Sequence, residues 1–95
     1  MSRPFETPEQ VLEAFGRRVR QLRSWRDLSQ DALATRSGIS RDHLARIEQG
    51  RASAGVVVLH KIAAGLGIGV EELFADGLPS SWESPRMQPR REQPS

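Results

Sequence analysis

The chain has 95 residues, with 14 Lys and Arg against 12 Asp and Glu and a formal net charge of +2. It contains no cysteine, which excludes disulfides and thiolate metal sites, and His43 and His60 lie too far apart for a zinc pair. No apolar run approaches the roughly 20 residues that span a bilayer, and the N-terminus lacks the apolar core of a signal peptide. We therefore expect one small cytoplasmic domain with no metal, no cofactor and no membrane contact.

The positive charge is concentrated in the middle of the chain. Between Phe15 and Lys61 there are ten basic residues but four acidic ones, and the flanking segments together are acidic. This distribution favours a polyanion such as nucleic acid as the partner of the middle segment. The alternative at this stage is a solvated helical surface that happens to be rich in arginine.

The first predicted helix begins at a strong start signal. Thr7 is a suitable N-cap, Pro8 suits the first helical position, and Gln10 completes a capping box. The helix should continue to about Arg26, with Asp27 as a left-handed terminator. Its apolar residues recur at steps of three and four and define one apolar face, formed by Val11, Leu12, Phe15, Val19 and Leu22.

The segment from Leu28 to Gly50 contains two copies of a second kind of helix start signal. In each copy an N-cap serine stands between two apolar residues, one directly before it and one four positions after it, which is a hydrophobic staple. Gly38 separates the copies and permits a sharp left-handed turn. We therefore predict two short helices joined by a tight turn, with staples formed by Leu28, Ser29 and Leu33 and by Ile39, Ser40 and Leu44.

Two further helices are predicted after Gly50. The fourth should cover about residues 56–65, and a short fifth helix should cover residues 70–75. Beyond them prolines accumulate and apolar residues become few, so residues 77–95 are predicted to form a flexible tail in which only Trp82 is able to dock. The predicted fold is an all-α, five-helix bundle with a disordered C-terminal tail.

The second and third predicted helices have the spacing of a helix-turn-helix motif, with a small residue at Ala34, the turn at Gly38 and an inward anchor at Leu44. The stretch "FGRRVRQLRSWRDLSQDALATRSGISRDHLARIEQGRASAGVVVLHKIAAGLGIGVEELF" resembles the phage-repressor/Cro-type (XRE-like) helix-turn-helix family, most specifically in "LSQ", "SGIS", "RIEQG" and "KIAAGLGIGVEELF". The resemblance implies a five-helix repressor-like domain over residues 15–76 that binds operator DNA, usually as a dimer. Residues 1–14 are then an N-terminal extension of the first helix.

The resemblance also implies roles for individual residues. The recognition helix, about Ser40 to Gln49, should lie in the major groove of duplex DNA. The expected base contacts are Arg41, Asp42 and Arg46. The expected contacts with the DNA backbone are Gln30, Ser40, Gln49, Arg51 and Ser53. A structural ion pair between the first and third helices should join Arg23 and Glu48.

At two of the three expected positions, the chemistry of the side chain suits a contact with DNA bases. Arg41 and Arg46 fall in the exposed arc of the third helix, and an arginine fork bonds O6 and N7 of guanine. Asp42 repels phosphate, so two roles stay open for it. It could accept from a cytosine amine, or it could stabilise the N-terminus of the helix without touching DNA.

A dimer would let so small a bundle recognise a palindromic operator, because a symmetric pair doubles the site. We expect a homodimer whose interface combines an exposed valine of the fourth helix with the fifth helix. The candidate interface residues are Val57, Val58, Leu73 and Phe74.

Enzyme functions find no support in the sequence. The glycines of "GLGIGV" follow a predicted helix rather than a strand, and no nucleophile pattern or small-molecule site is evident. The predicted function is a sequence-specific transcriptional regulator that binds duplex DNA as a homodimer. The alternative is a protein-interaction module or antitoxin-type subunit that reuses the fold. Restriction-modification controllers, phage-type repressors and antitoxins all stay open as the regulatory system.

Overall fold

The computed structural model describes residues 7–80 and residue 82. Within them lie four α-helices, α1 (Pro8–Trp25), α2 (Gln30–Ser37), α3 (Arg41–Glu48) and α4 (Val56–Leu66). A 3₁₀-helix, Val70–Phe74, follows α4. No β-strand occurs in this part of the chain. The prediction of an all-α fold containing a helix-turn-helix is confirmed.

The prediction of a fifth α-helix is wrong, because this segment forms a helix of another type. Val70–Phe74 forms a 3₁₀-helix of five residues, so the described residues contain four α-helices rather than five. Gly69 offers no side-chain cap at the start of this segment, and Ala75 is already extended, with φ −94° and ψ 170°. So short a segment leaves little room for the hydrogen bonds of an α-helix, and the tighter 3₁₀ pattern forms instead.

The start signals of the first three helices are confirmed. Thr7 Oγ1 accepts from the backbone N–H of Gln10 at 3.1 Å, and the Gln10 side chain accepts from the N–H of Thr7 at 3.0 Å. Ser29 caps α2 and Ser40 caps α3, each through its Oγ at 3.0 Å. Gly38 ends α2 with a left-handed φ of 72°, which turns the chain sharply between the two helices.

The core lies where α1 crosses α3 and where α2 packs against α4. Two glycines permit these close approaches. A Cβ on Gly16 would stand 2.6 Å from the carbonyl oxygens of both Ile47 and Glu48, and a Cβ on Gly65 would overlap Ser37 Oγ. Any larger residue would push the helices apart. The buried apolar side chains of the core are Val19, Leu22, Leu33, Ala34, Leu44, Ile47, Ile62, Ala63, Leu66 and Leu73.

Two arginines close the C-terminal end of α4. Arg36 Nε donates to the carbonyl oxygen of Gly65 at 2.8 Å, and Arg26 Nε donates to that of Leu66 at 3.2 Å. The last carbonyls of a helix lack partners within the helix and carry the negative end of its dipole. The two guanidinium groups therefore satisfy these carbonyls and also stabilise the helix end electrostatically.

The chain beyond the 3₁₀-helix lies against the bundle as far as the structure describes it. We call residues 77–80 together with Trp82 the C-terminal strap. Pro79 is buried, Trp82 packs against the core, and the guanidinium of Arg26 lies 4.7 Å from the centre of the Trp82 ring. The predicted flexible tail included residues 77–80, whereas Pro79 is buried. Trp82, the one residue of the tail that was predicted to be able to dock, packs against the core. Residues 81 and 83–95 lie outside the described part of the chain.

Arg18 of α1 anchors the beginning of the strap. Its Nη1 donates to the carbonyl oxygen of Gly77 at 2.8 Å, and its Nη2 donates to that of Glu72 at 2.7 Å. Burial lowers the pKa of Arg18 below its ordinary value, while the carboxylates of Asp76 and Glu72 oppose that shift. The first residue of the strap, Gly77, is thus bonded to Arg18 of α1, and its last described residue, Trp82, contacts Arg26, the C-cap of the same helix.

Candidate nucleic-acid interface

The third helix is amphipathic and presents its polar face to solvent. Leu44 and Ile47 are fully buried and hold the helix on the core. Arg41, Asp42 and Arg46 are exposed on the outside of the bundle. The structure therefore brings the three expected base contacts together on one free helix face, which is the face that a major groove would meet.

Both arginines on this face are paired with aspartates. Arg46 Nε lies 3.2 Å from Asp42 Oδ2, one helical turn earlier in α3, and Arg41 Nε lies 3.6 Å from Asp31 Oδ1 in α2. All four side chains are exposed. Asp42 therefore pairs with an arginine of the protein, which neither of its two expected roles included. Asp31 was not among the site residues expected from the sequence.

The N-termini of α2 and α3 carry two of the expected backbone contacts. Ser40 Oγ accepts from the N–H of His43 at 3.0 Å, which leaves its hydroxyl proton free to donate. Gln30 Nε2 donates to Glu48 Oε1 at 3.0 Å, which leaves its second amide proton and its carbonyl oxygen free. Each side chain therefore performs a structural task and still keeps hydrogen-bonding capacity for a phosphate.

The other expected backbone contacts follow α3. Gln49 is the C-cap of α3, and Gly50 turns the chain with a φ of 75°. Gln49, Arg51 and Ser53 are all exposed. The loop thus presents a cation and two polar side chains directly after the helix that would enter the groove.

Arg23 and Glu48 form a bidentate pair between α1 and α3. Arg23 Nε donates to Glu48 Oε2 at 2.7 Å and Nη2 donates to Oε1 at 2.9 Å. The Glu48 side chain is 1% exposed and that of Arg23 is 18% exposed. Arg23 Nη1 also donates to the carbonyl oxygen of Leu28 at 3.0 Å, and Gln30 adds its bond to the same carboxylate. This network fixes the position of α3 relative to α1 and α2.

The basic middle of the chain is only partly available to a polyanion. Half of its ten basic residues donate hydrogen bonds within the protein, to backbone carbonyls or to Glu48: Arg18, Arg20, Arg23, Arg26 and Arg36. Most of these partners lie far away in the sequence, so the sequence alone could not show which arginines bond to backbone carbonyls or to Glu48. The candidate interface depends on the remainder, chiefly Arg41, Arg46 and Arg51.

The expected dimer interface is only partly exposed. Val57 is 66% exposed and Phe74 is 64% exposed, whereas Leu73 is 1% exposed and belongs to the core. Val58 is half-buried and packs against the core. The inclusion of Leu73 is therefore wrong, because its side chain points inward from the 3₁₀-helix. Phe74 stacks on Phe15 with the ring centres 5.5 Å apart.

Metal binding and membrane insertion have no support in the described residues. No group of His, Asp and Glu side chains among residues 7–80 and 82 has an arrangement that could hold a metal ion. Within the same residues, no helix has the length and apolar character required to cross a membrane. The candidate site is the polar face of α3 and the loop after it, where the expected contact residues are exposed.

Comparison with known proteins agrees with this geometry. Residues 14–75 match the family model described as "Helix-turn-helix domain". Control protein C.MunI from a Mycoplasma species is 41% identical over 63 residues, which are 65% of this chain and 85% of that protein. The uncharacterized HTH-type transcriptional regulator y4dJ of Sinorhizobium fredii is 34% identical over 58 residues, which are 61% of this chain and 75% of that protein.

A solved structure extends the similarity to three dimensions. The restriction-modification controller protein C.AhdI from Aeromonas hydrophila is 39% identical and superimposes with a TM-score of 0.66. The superposition covers 67% of this chain and 97% of that one. The family match, residues 14–75, includes the helices that carry the candidate site. The chain belongs to the XRE-like helix-turn-helix domain family.

Proposed function

We propose that the chain is a sequence-specific transcriptional regulator that binds duplex DNA by inserting α3 into the major groove. The observation that carries this proposal is the free face of α3, which presents Arg41 and Arg46 while the opposite face is anchored in the core. Relatives named as a control protein, a controller protein and a transcriptional regulator support a regulatory role rather than an enzymatic one. Its site of action would then be the cytoplasm.

The contacts divide into two classes in this proposal. Arg41 and Arg46 recognise base edges, because a guanidinium fork matches the acceptors of guanine in the major groove. Gln30 and Ser40 hold phosphates with the hydrogen-bonding capacity that their structural bonds leave free. The loop residues Gln49, Arg51 and Ser53 extend this hold along the DNA backbone.

We propose a homodimer on a palindromic operator as the active form. The exposed side chains of Val57 and Phe74 supply apolar surface for the contact, with Val58 partly available beside Val57. In a two-fold dimer the two recognition helices enter successive turns of the groove, about 34–36 Å apart. Sedimentation should show a dimer at high micromolar concentration, and Phe74→Asp should shift the equilibrium toward monomer.

Similarity to C.MunI and C.AhdI favours one regulatory system among those left open. Both relatives are named as control proteins, and C.AhdI is named as a restriction-modification controller. We therefore propose that the chain controls the expression of a restriction-modification system. Fragments selected from the genome that encodes the chain should then include the promoter of a restriction or methyltransferase gene.

Selection of bound fragments from random duplexes tests the DNA-binding proposal directly. The selected sites should contain two inverted half-sites and should bind at least about 10³-fold more tightly than scrambled duplex. Affinity for both should fall steeply with salt as counterions are released. Selection without enrichment, together with affinity that barely responds to salt, would favour the alternative of a protein-interaction module.

A further inference from the structure

We propose that Asp31 and Asp42 are specificity-determining residues of the DNA interface, because each one positions the guanidinium of a base-reading arginine. This inference rests on the proposed DNA-binding function. Neither aspartate would have to touch a base. Each would act through its arginine, Asp31 through Arg41 and Asp42 through Arg46.

The geometry of the two pairs is the same in one respect. In both, the closest approach of the carboxylate to the guanidinium is at Nε, at 3.6 Å for Arg41 and 3.2 Å for Arg46. A guanidinium carries five N–H donors in a rigid plane. When Nε faces a carboxylate, the Nη1 and Nη2 groups at the far end stay free. That end-on pair of groups can bond O6 and N7 of a guanine together.

The exposure of the two aspartates argues against a large contribution of their ion pairs to stability. The side chains of Asp31 and Asp42 are 73% and 81% exposed, and exposed ion pairs contribute little to the free energy of unfolding. Both residues stand in the first turn of a helix, where a carboxylate helps the helix dipole. That contribution is the same with and without DNA, so it cannot alter the preference for one duplex over another.

Two effects of the carboxylates on DNA binding differ in their dependence on sequence. A carboxylate on the interface repels phosphate, and it does so on every duplex. Positioning of the fork helps only where a guanine is present to receive it. Removal of the charges should therefore strengthen binding to random duplex, while the selected site gains less or loses. The ratio of the two affinities should fall.

The test compares Asp31→Asn, Asp42→Asn and the double variant with the wild-type chain. Asparagine keeps the size of the side chain and removes its charge. Glu71→Gln is the matched control, because Glu71 is exposed on the 3₁₀-helix, which packs on α1 and α4. Each variant is titrated with a selected site and with a scrambled duplex at several salt concentrations, and urea unfolding verifies that it is folded.

The double variant should bind scrambled duplex about threefold more tightly or better. Its ratio of selected to scrambled affinity should fall by about tenfold, which is within the discrimination that a bidentate guanine contact supplies. Glu71→Gln should leave the ratio unchanged. If the wild-type chain discriminates but the affinity ratio of the double variant stays within about twofold of the wild-type ratio, this inference is wrong and the proposed function stands. A wild-type chain that does not discriminate would overturn the proposed function and this inference with it.

A double-mutant cycle shows whether Asp42 acts through Arg46 or by itself. In the Arg46→Ala background the arginine is gone, so Asp42→Asn should no longer change the affinity ratio. If Asp42→Asn lowers the ratio equally in both backgrounds, Asp42 reads DNA directly, for example by accepting from a cytosine amine. That result would overturn the positioning role.

Discussion

Gly16 of α1 meets the backbone of Glu48 in α3 with no side chain between them. A Cβ on Gly16 would lie 2.6 Å from the Glu48 carbonyl oxygen. The same oxygen accepts from Arg20 Nη1 at 3.1 Å, so α1 holds it through a side chain as well. The crossing of α1 and α3 therefore has no spare room, and it sets the position of the helix that carries the candidate base contacts.

Gly16→Ala should destabilise the protein although alanine is the better helix former. The helix-propensity gain is about 1 kcal/mol, but the new methyl group collides with backbone atoms that cannot move aside. We expect a net loss of about 1–3 kcal/mol in the free energy of unfolding, measured in urea. Gly55→Ala is the control, because a Cβ there meets nothing within 4 Å. Equal effects of the two substitutions would contradict the close crossing.

The second prediction concerns the buried ion pair. Glu48→Ala leaves the guanidinium of Arg23 without its carboxylate in a largely buried position, so the loss of stability should reach about 3–5 kcal/mol. Asp42→Ala is the control, since it breaks the exposed Arg46–Asp42 pair and should cost about 0.5 kcal/mol. Urea unfolding measures both. A loss below about 0.5 kcal/mol for Glu48→Ala would place that pair among ordinary surface ion pairs.

The third prediction concerns the C-terminal strap. Trp82 packs against the core and under the Arg26 guanidinium, so Trp82→Ala removes both apolar burial and a cation–π contact. We expect a loss of about 1–3 kcal/mol in the free energy of unfolding. Leu78→Ala serves as the control, because Leu78 is exposed within the same strap. If neither substitution changes the urea midpoint, the strap contributes nothing to the stability of the bundle.

Local signals in the sequence were sufficient to locate the helices of the bundle. The caps at Ser29 and Ser40 depend on residues only a few positions away, and both were predicted from the sequence. The close approaches at Gly16 and Gly65 could not be recognised, because the residues they touch lie far away in the chain. The burial of Pro79 was not foreseen for the same reason, since the strap packs on helices that precede it by many residues, although Trp82 was expected to be able to dock.

The residues of the candidate site were named from the sequence, but only part of their internal pairing was foreseen. The resemblance to a known family indicated Arg23 with Glu48, and the structure supplies their geometry. The Arg46–Asp42 pair has the i,i+4 spacing of helix neighbours, but two other roles were expected for Asp42 from the sequence. The Arg41–Asp31 pair was not foreseen, because it joins two helices whose relative placement only the folded chain defines.

The last prediction separates residues that recognise bases from residues that hold phosphates. Arg46→Ala and Gln30→Ala should both weaken binding to the selected site, so that measurement alone cannot distinguish them. Arg46→Ala should cost about 1–3 kcal/mol on the selected site and much less on scrambled duplex, because the guanine contact exists only on the former. Gln30→Ala should weaken both duplexes by similar factors, because phosphates are alike in every sequence.

Salt dependence adds an independent criterion for the same residues. Arg51→Ala should reduce the slope of log affinity against log salt by about one unit if Arg51 neutralises a phosphate. Gln30 is uncharged, so its loss should leave the slope unchanged. Because Gln30 also donates to Glu48, circular dichroism must first show that the Gln30→Ala protein is folded under the binding conditions. If Arg46→Ala lowered the affinity for both duplexes equally and also reduced the slope, α3 would hold DNA electrostatically without reading its sequence.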